Sequence, residues 1–153
     1  MPETYVLLQQ RLHIYQAGPL FSQADVAWHR GLTQQLRRAG HEVVWPGDLV
    51  SDDDVAGWGS EAPRRIFAID KAAIDGADLL VALLDGAQVD DGTAWEIGYA
   101  HARGIPVIGI RTDFRRAGET GHSVVNAMIE GSCHTIVRDV DALLATLAAH
   151  FPA

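Results

Sequence analysis

The run Leu79-Leu80-Val81-Ala82-Leu83-Leu84 constrains the fold more than any other stretch, because six consecutive apolar side chains leave a strand no face to give to water. Such a strand must be covered on both sides. The predicted strand around it spans Asp78 to Leu84, Pro106 to Ile110 repeats the pattern, and His13 to Gly18, His41 to Pro46 and Thr135 to Val137 complete a set of five predicted strands. Helical spacing fills the gaps between them. Val26, Leu32 and Leu36 recur inward from Ser22 until Gly40, and Ile66, Ile69, Ala73 and Ile74 recur between Pro63 and Gly76. Further helices are expected from the Glu96 region to about Arg103, from Val124 to Glu130 and from Asp141 to His150. Strands alternating with helices call for a parallel sheet with right-handed crossovers. The expected fold is a flavodoxin-like, doubly wound α/β sandwich on a five-stranded parallel sheet. Residues 13–153 form its single domain and residues 1–12 an N-terminal extension. Asp48 to Ser60 reads as an acidic loop suited to a lid, with Asp52, Asp53 and Asp54 a solvated face or a cap.

Composition narrows the partners. A chain of 153 residues with 20 acidic against 12 basic residues has a formal net charge of -8, which opposes a nucleic acid polymer. No apolar run approaches the roughly 18 residues of a membrane span. The seven histidines are scattered and Cys133 is alone, so neither a metal nor a disulfide is expected. Cys133 reads as a small buried hydrophobe. The start Met-Pro-Glu-Thr-Tyr lacks the features of a signal peptide, and a cytoplasmic location is expected.

Open parallel sheets bind ligands beyond the carboxyl ends of their strands. Those ends are Tyr15 to Phe21, Trp45 to Asp54, Asp85 to Thr93 and Arg111 to Phe114. The turn Gly18-Pro19-Leu20-Phe21 is apolar and lacks the Gly-rich or hydroxyl-rich character of a phosphate loop, so it suits a neutral ring or sugar. Phe21, Trp45 and Trp58 are candidates for stacking on a base, with core or rim packing as the alternative. In Asp90-Asp91-Gly92-Thr93-Ala94-Trp95-Glu96, two readings of Glu96 stand: it closes a capping box with Thr93, or it is a catalytic carboxylate. A helix start would hold it ionised. Several carboxylates without a basic cluster suit a transition state that becomes positive, as in glycosyl transfer.

These segments resemble the nucleoside 2-deoxyribosyltransferases. Ile14-Tyr15-Gln16-Ala17-Gly18-Pro19-Leu20-Phe21 is similar to that family's opening strand and loop, Ala82 to Ala100 to its central signature, and Asn126-Ala127-Met128-Ile129 to its Asn-Leu-Met element. The resemblance implies exchange of the base of 2′-deoxyribonucleosides for a free nucleobase through a covalent deoxyribosyl-Glu96, with no cofactor. It further implies that Tyr15 orients the nucleophile, Asp70 handles the proton at the base, and Asp90 binds sugar hydroxyls. Asn126 would be supplied to a neighbouring subunit's site, so a homodimer or larger homo-oligomer with shared sites is implied. A surface ion pair is the alternative for Asp70, strand-end packing for Tyr15 and a helix N-cap for Asn126. An N-glycosidase that hands the sugar to water through the same glutamate is the second functional reading. A non-catalytic nucleoside-binding module is the third.

Overall fold

The computed structural model describes residues 10–151. Five parallel strands run β1 (His13–Ala17), β2 (Glu42–Val44), β3 (Leu79–Leu83), β4 (Val107–Ile110) and β5 (Thr135–Val137). Their order in the sheet is β2-β1-β3-β4-β5, the doubly wound arrangement expected from the alternation. The helices are α1 (Gln23–Arg38), α2 (Pro46–Leu49), α3 (Asp52–Trp58), α4 (Ala62–Asp75), α5 (Asp91–Ala102), α6 (Ala127–Ser132) and α7 (Val140–His150).

The period-two geometry of a strand explains why the apolar runs are continuous. Ile14, Leu79, Val81, Leu83, Ile108 and Ile110 pack with Leu32 and Leu36 of α1 and Leu143 and Leu147 of α7. The intervening residues Tyr15, Leu80, Ala82 and Val107 face the other way, onto Ile74 of α4 and Ile97 and Ala100 of α5. Each fully buried Leu or Ile contributes about 1.5–3 kcal/mol by leaving water. This parity has a functional result: Tyr15 is directed at the layer that carries α4 and α5.

Local chemistry sets the helix starts. Ser22 and Asp25 form a reciprocal capping box at α1, and Asp139 caps α7 by accepting from the Ala142 amide. The segment read as a loop from Asp48 to Ser60 is instead helical. Ser51 and Asp54 box the start of α3, and Asp52, Asp53 and Asp54 all lie in its first turn, where the helix dipole favours negative charge. The second strand ends at Val44, short of the predicted Pro46, because that proline opens α2 at a position needing no N–H donor. Likewise α6 begins at Ala127 rather than Val124, with Asn126 as its N-cap.

Residues 1–9 of the predicted extension lie outside the described residues. Leu12, by contrast, is buried in the α1/α7 layer, and its carbonyl accepts from the Glu42 amide at 2.9 Å. Among the described residues, no helix is long and apolar enough to cross a membrane.

Candidate active site

Asp90, Asp70, Tyr15 and Glu96 converge at the carboxyl ends of β1 and β3. Asp90 is the N-cap of α5: its Oδ2 accepts from the Thr93 amide and from the Thr93 hydroxyl, both at 2.9 Å. Thr93 is therefore spent on Asp90, and the capping box between Thr93 and Glu96 does not form. Glu96 sits beyond the first turn, and its Oε1 accepts from the Tyr15 hydroxyl at 2.5 Å. This contact joins the floor of the sheet to the helix above it.

The electrostatics correct one expectation. A helix start was to keep Glu96 ionised, but the dipole acts mainly within the first turn and Glu96 lies past it. Burial pushes its carboxyl up to about 7, the nearby Asp70 and Asp90 add to the rise, and the Tyr15 hydrogen bond opposes it. Tyr15 is 0% exposed. Burial, followed by the negative charges of Glu96 and Asp70, holds its phenol far above the ordinary range, so it stays a donor. Asp70 is raised by burial too, and its Oδ1 is buried without a hydrogen-bond partner among the described residues. An unpartnered buried carboxylate oxygen is costly unless a ligand or proton satisfies it.

Asp70, Asp90 and Glu96 share one cleft of about 300 Å³, closed by Gly18, Leu20 and Phe21 on one side and by Val55 of α3 and Ile66 of α4 on the other. Its lining holds four carboxylates, Asp52 being the fourth, and no Lys or Arg. A second lobe of about 240 Å³ opens on the far side of the Asp70 and Glu96 pair, walled by Phe67, Lys71, Ile74 and Trp95. Phe67 and Trp95 meet edge to face at 5.3 Å. The sequence reading named neither ring, although Phe67 lies one helical turn before Asp70 and Trp95 adjoins Glu96.

Other candidates are placed differently. Phe21 is 81% exposed at the rim of the cleft, open to a ligand ring. Trp45 is 2% exposed and stacks on the His29 ring at 5.9 Å. It does not line the cleft, where the sequence reading offered it as a base-stacking candidate. Trp58 carries the Arg65 guanidinium 5.5 Å from its ring centroid and is likewise outside the cleft lining. Asn126 lies elsewhere in the chain, beside a cavity of about 500 Å³ between α5 and α6 that contains none of the four converging groups. Its Oδ1 accepts from the Met128 amide and its Nδ2 donates to Glu119. Burial pushes the Cys133 thiol up to about 11, leaving it protonated and inert. Among the described residues no group of three or more His, Cys, Asp or Glu is arranged to hold a metal ion.

Gly18 earns its place by contact. Its φ is +155°, and a Cβ there would fall 2.4 Å from two ring atoms of His29. His29 is itself fixed by Gln16, whose amide meets its Nδ1 at 2.9 Å, while Thr33 donates to Gln16. Gly18→Ala is expected to destabilise the fold by about 1–3 kcal/mol and to weaken substrate binding by displacing the loop. Chemical denaturation and KM measure the two effects, and unchanged values of both would refute the packing account.

The profile of the family described as Nucleoside 2-deoxyribosyltransferase matches residues 14–128. A crystal structure of a conserved protein from Enterococcus faecalis V583 is 30% identical, with TM-score 0.76, covering 93% of this chain and 100% of that one. The 2-deoxyribosyltransferase from the psychrotolerant bacterium Bacillus psychrosaccharolyticus is 28% identical, with TM-score 0.73, over 88% of this chain and 95% of its own. A CMP N-glycosidase from Clostridium botulinum shares the fold at 21% identity and TM-score 0.59, over 88% of this chain and 97% of its own. Comparison with curated proteins gives no match. With three quarters of its length inside the family profile and the same five-stranded fold, the chain belongs to the nucleoside 2-deoxyribosyltransferase family.

Proposed function

We propose that this protein exchanges the nucleobase of 2′-deoxyribonucleosides by a retaining double displacement. The observation that supports it most is the Tyr15–Glu96 hydrogen bond at the base of an acidic cleft free of cations. Ionised Glu96 attacks C1′ of the sugar, the C1′–N bond breaks, and its electron pair leaves with the base nitrogen, which takes a proton from Asp70. The deoxyribosyl ester on Glu96 is then attacked by a nitrogen of the second base. Asp70 recovers a proton, and Glu96 departs as carboxylate. The surrounding carboxylates stabilise the positive charge that develops at C1′.

Tyr15 positions the nucleophile and favours its charged form. Asp90 reaches the sugar hydroxyls from the α5 N-cap. Phe21 and Gly18 border the base. Four carboxylates would repel a 5′-phosphate, so nucleosides are preferred to nucleotides. In the same reading Asn126 serves the site of a neighbouring subunit in a homo-oligomer, and the enzyme works in nucleoside salvage in the cytoplasm.

Incubation with one deoxynucleoside and a different free base tests the proposal by chromatography. A new deoxynucleoside supports transfer, free deoxyribose supports the N-glycosidase reading, and no turnover supports a binder. The acid limb of kcat/KM should lie near pH 7, where Glu96 ionises, with a tenfold fall per pH unit below it. Tyr15→Phe removes the bond that favours the carboxylate, so its limb should move to higher pH. A limb that stays in place would separate Tyr15 from the nucleophile.

A further inference from the structure

Another cavity, of about 390 Å³, lies between the segment after β4 and the end of β5, away from the Glu96 cleft. It is lined by Arg115, Arg116, Arg138, Ser123, His122 and Phe114. The chain has only 12 Lys and Arg in all and a net charge of -8, so three arginines on one cavity are a marked local reversal of sign. Asp113 offsets one of these charges and leaves an excess of two.

The arginines are held from behind. Arg115 Nε donates to Asp113 Oδ1 at 3.0 Å and its Nη2 to Oδ2 at 2.5 Å, while Arg138 Nη2 donates to the Asp113 carbonyl at 3.3 Å. Beneath them Arg111, fully buried, donates through Nη2 to the Arg115 carbonyl at 2.7 Å and to the Gly86 carbonyl at 3.2 Å. Arg116 makes no hydrogen bond or ion pair within the described residues. Phe114 is 89% exposed beside it, an aromatic face left open among the described residues.

We propose that this cavity binds a nucleotide, with Arg115, Arg116 and Arg138 on the phosphate and Phe114 against the base. Planar guanidiniums match phosphate oxygens in pairs, and a ring stacks on any nucleobase. The two sites divide ligands by charge: the acidic cleft rejects the phosphate that the basic cavity requires. A hydrogen bond also ties the site to the segment that leads to Asp90, because Asp113 Oδ2 accepts from the Gly86 amide at 3.3 Å.

The test is titration of the full chain with dAMP, deoxyadenosine and inorganic phosphate, followed by calorimetry and by NMR shifts of the Phe114, Arg116 and Ser123 amides. dAMP should move those amides, more weakly as salt rises, and inorganic phosphate should compete with it. R116A/R138A should weaken dAMP binding by at least about tenfold, since hydrogen bonds to charged groups are lost. R116E alone should do the same, and F114A should weaken dAMP but not inorganic phosphate. The proposal is overturned if dAMP does not bind, if R116A/R138A binds it normally, or if the shifts fall only around Glu96. Base exchange by R116A/R138A in the absence of nucleotide should stay normal, so failure here and failure of the transferase reading give different results.

Discussion

Glu96→Gln is expected to lower base exchange by at least about three orders of magnitude and, at pH 8, to raise the melting temperature. The two effects share a cause. A neutral amide cannot form the glycosyl ester, so the double displacement stops at its first step. The same amide removes a charge that the fold holds at a cost. Glu96 has an ordinary carboxyl near 4.5 when unfolded and near 7 when folded, so the native state binds the proton more tightly. Stability from this group is therefore full below about pH 4.5 and is lost as pH rises through 7. The gap corresponds to about 3 kcal/mol at most. Each kcal/mol moves the midpoint by about 2–4 °C in a chain of this size, so a gain of several degrees is expected at pH 8 and little at pH 5. Thermal melts at the two pH values and chromatographic turnover check both halves. A variant that loses activity without gaining stability would show that the charge is not strained, and one that keeps its activity would remove Glu96 from the chemistry.

The sheet was legible because its causes are local and repeated. Leu79 to Leu84 has no polar face, so burial on both sides follows from the strand alone. The helices α2 and α3 were not legible: four and seven residues with no buried side chain carry no periodic signal, and only the Ser51–Asp54 box marks the second. The same division holds at the site. Tyr15 and Glu96 sit in motifs with recognisable neighbours, but the residues alone left Glu96 between a capping box and a catalytic carboxylate and could not show that Asp90 takes Thr93 first. The sequence also could not supply burial, which raises the Glu96 carboxyl to about 7. Trp45 shows the limit for aromatics, because its strand-end position suits either a ligand or the core. The structure buries it against the His29 ring, a contact that no local pattern announces.

Asp70→Asn is expected to lower kcat by about two to four orders of magnitude, the usual worth of a placed general acid and base. Asp70 and Glu96 face one cleft and burial raises both carboxyls. Tyr15 donates to Glu96 and so favours charge there. In the proposed reaction the proton for the leaving base therefore falls to Asp70, whose buried Oδ1 has no hydrogen-bond partner among the described residues. An asparagine keeps the shape but cannot give or regain a proton. The loss should be greatest for bases that leave poorly and smaller for those that depart as stable anions, so log kcat should depend more steeply on leaving-group pKa. Removing the negative charge beside Glu96 should also move the acid limb of kcat/KM downward, since Asp70 contributes to its rise. A uniform loss across leaving groups with an unmoved limb would make Asp70 a structural residue and assign the proton to the substrate or to water.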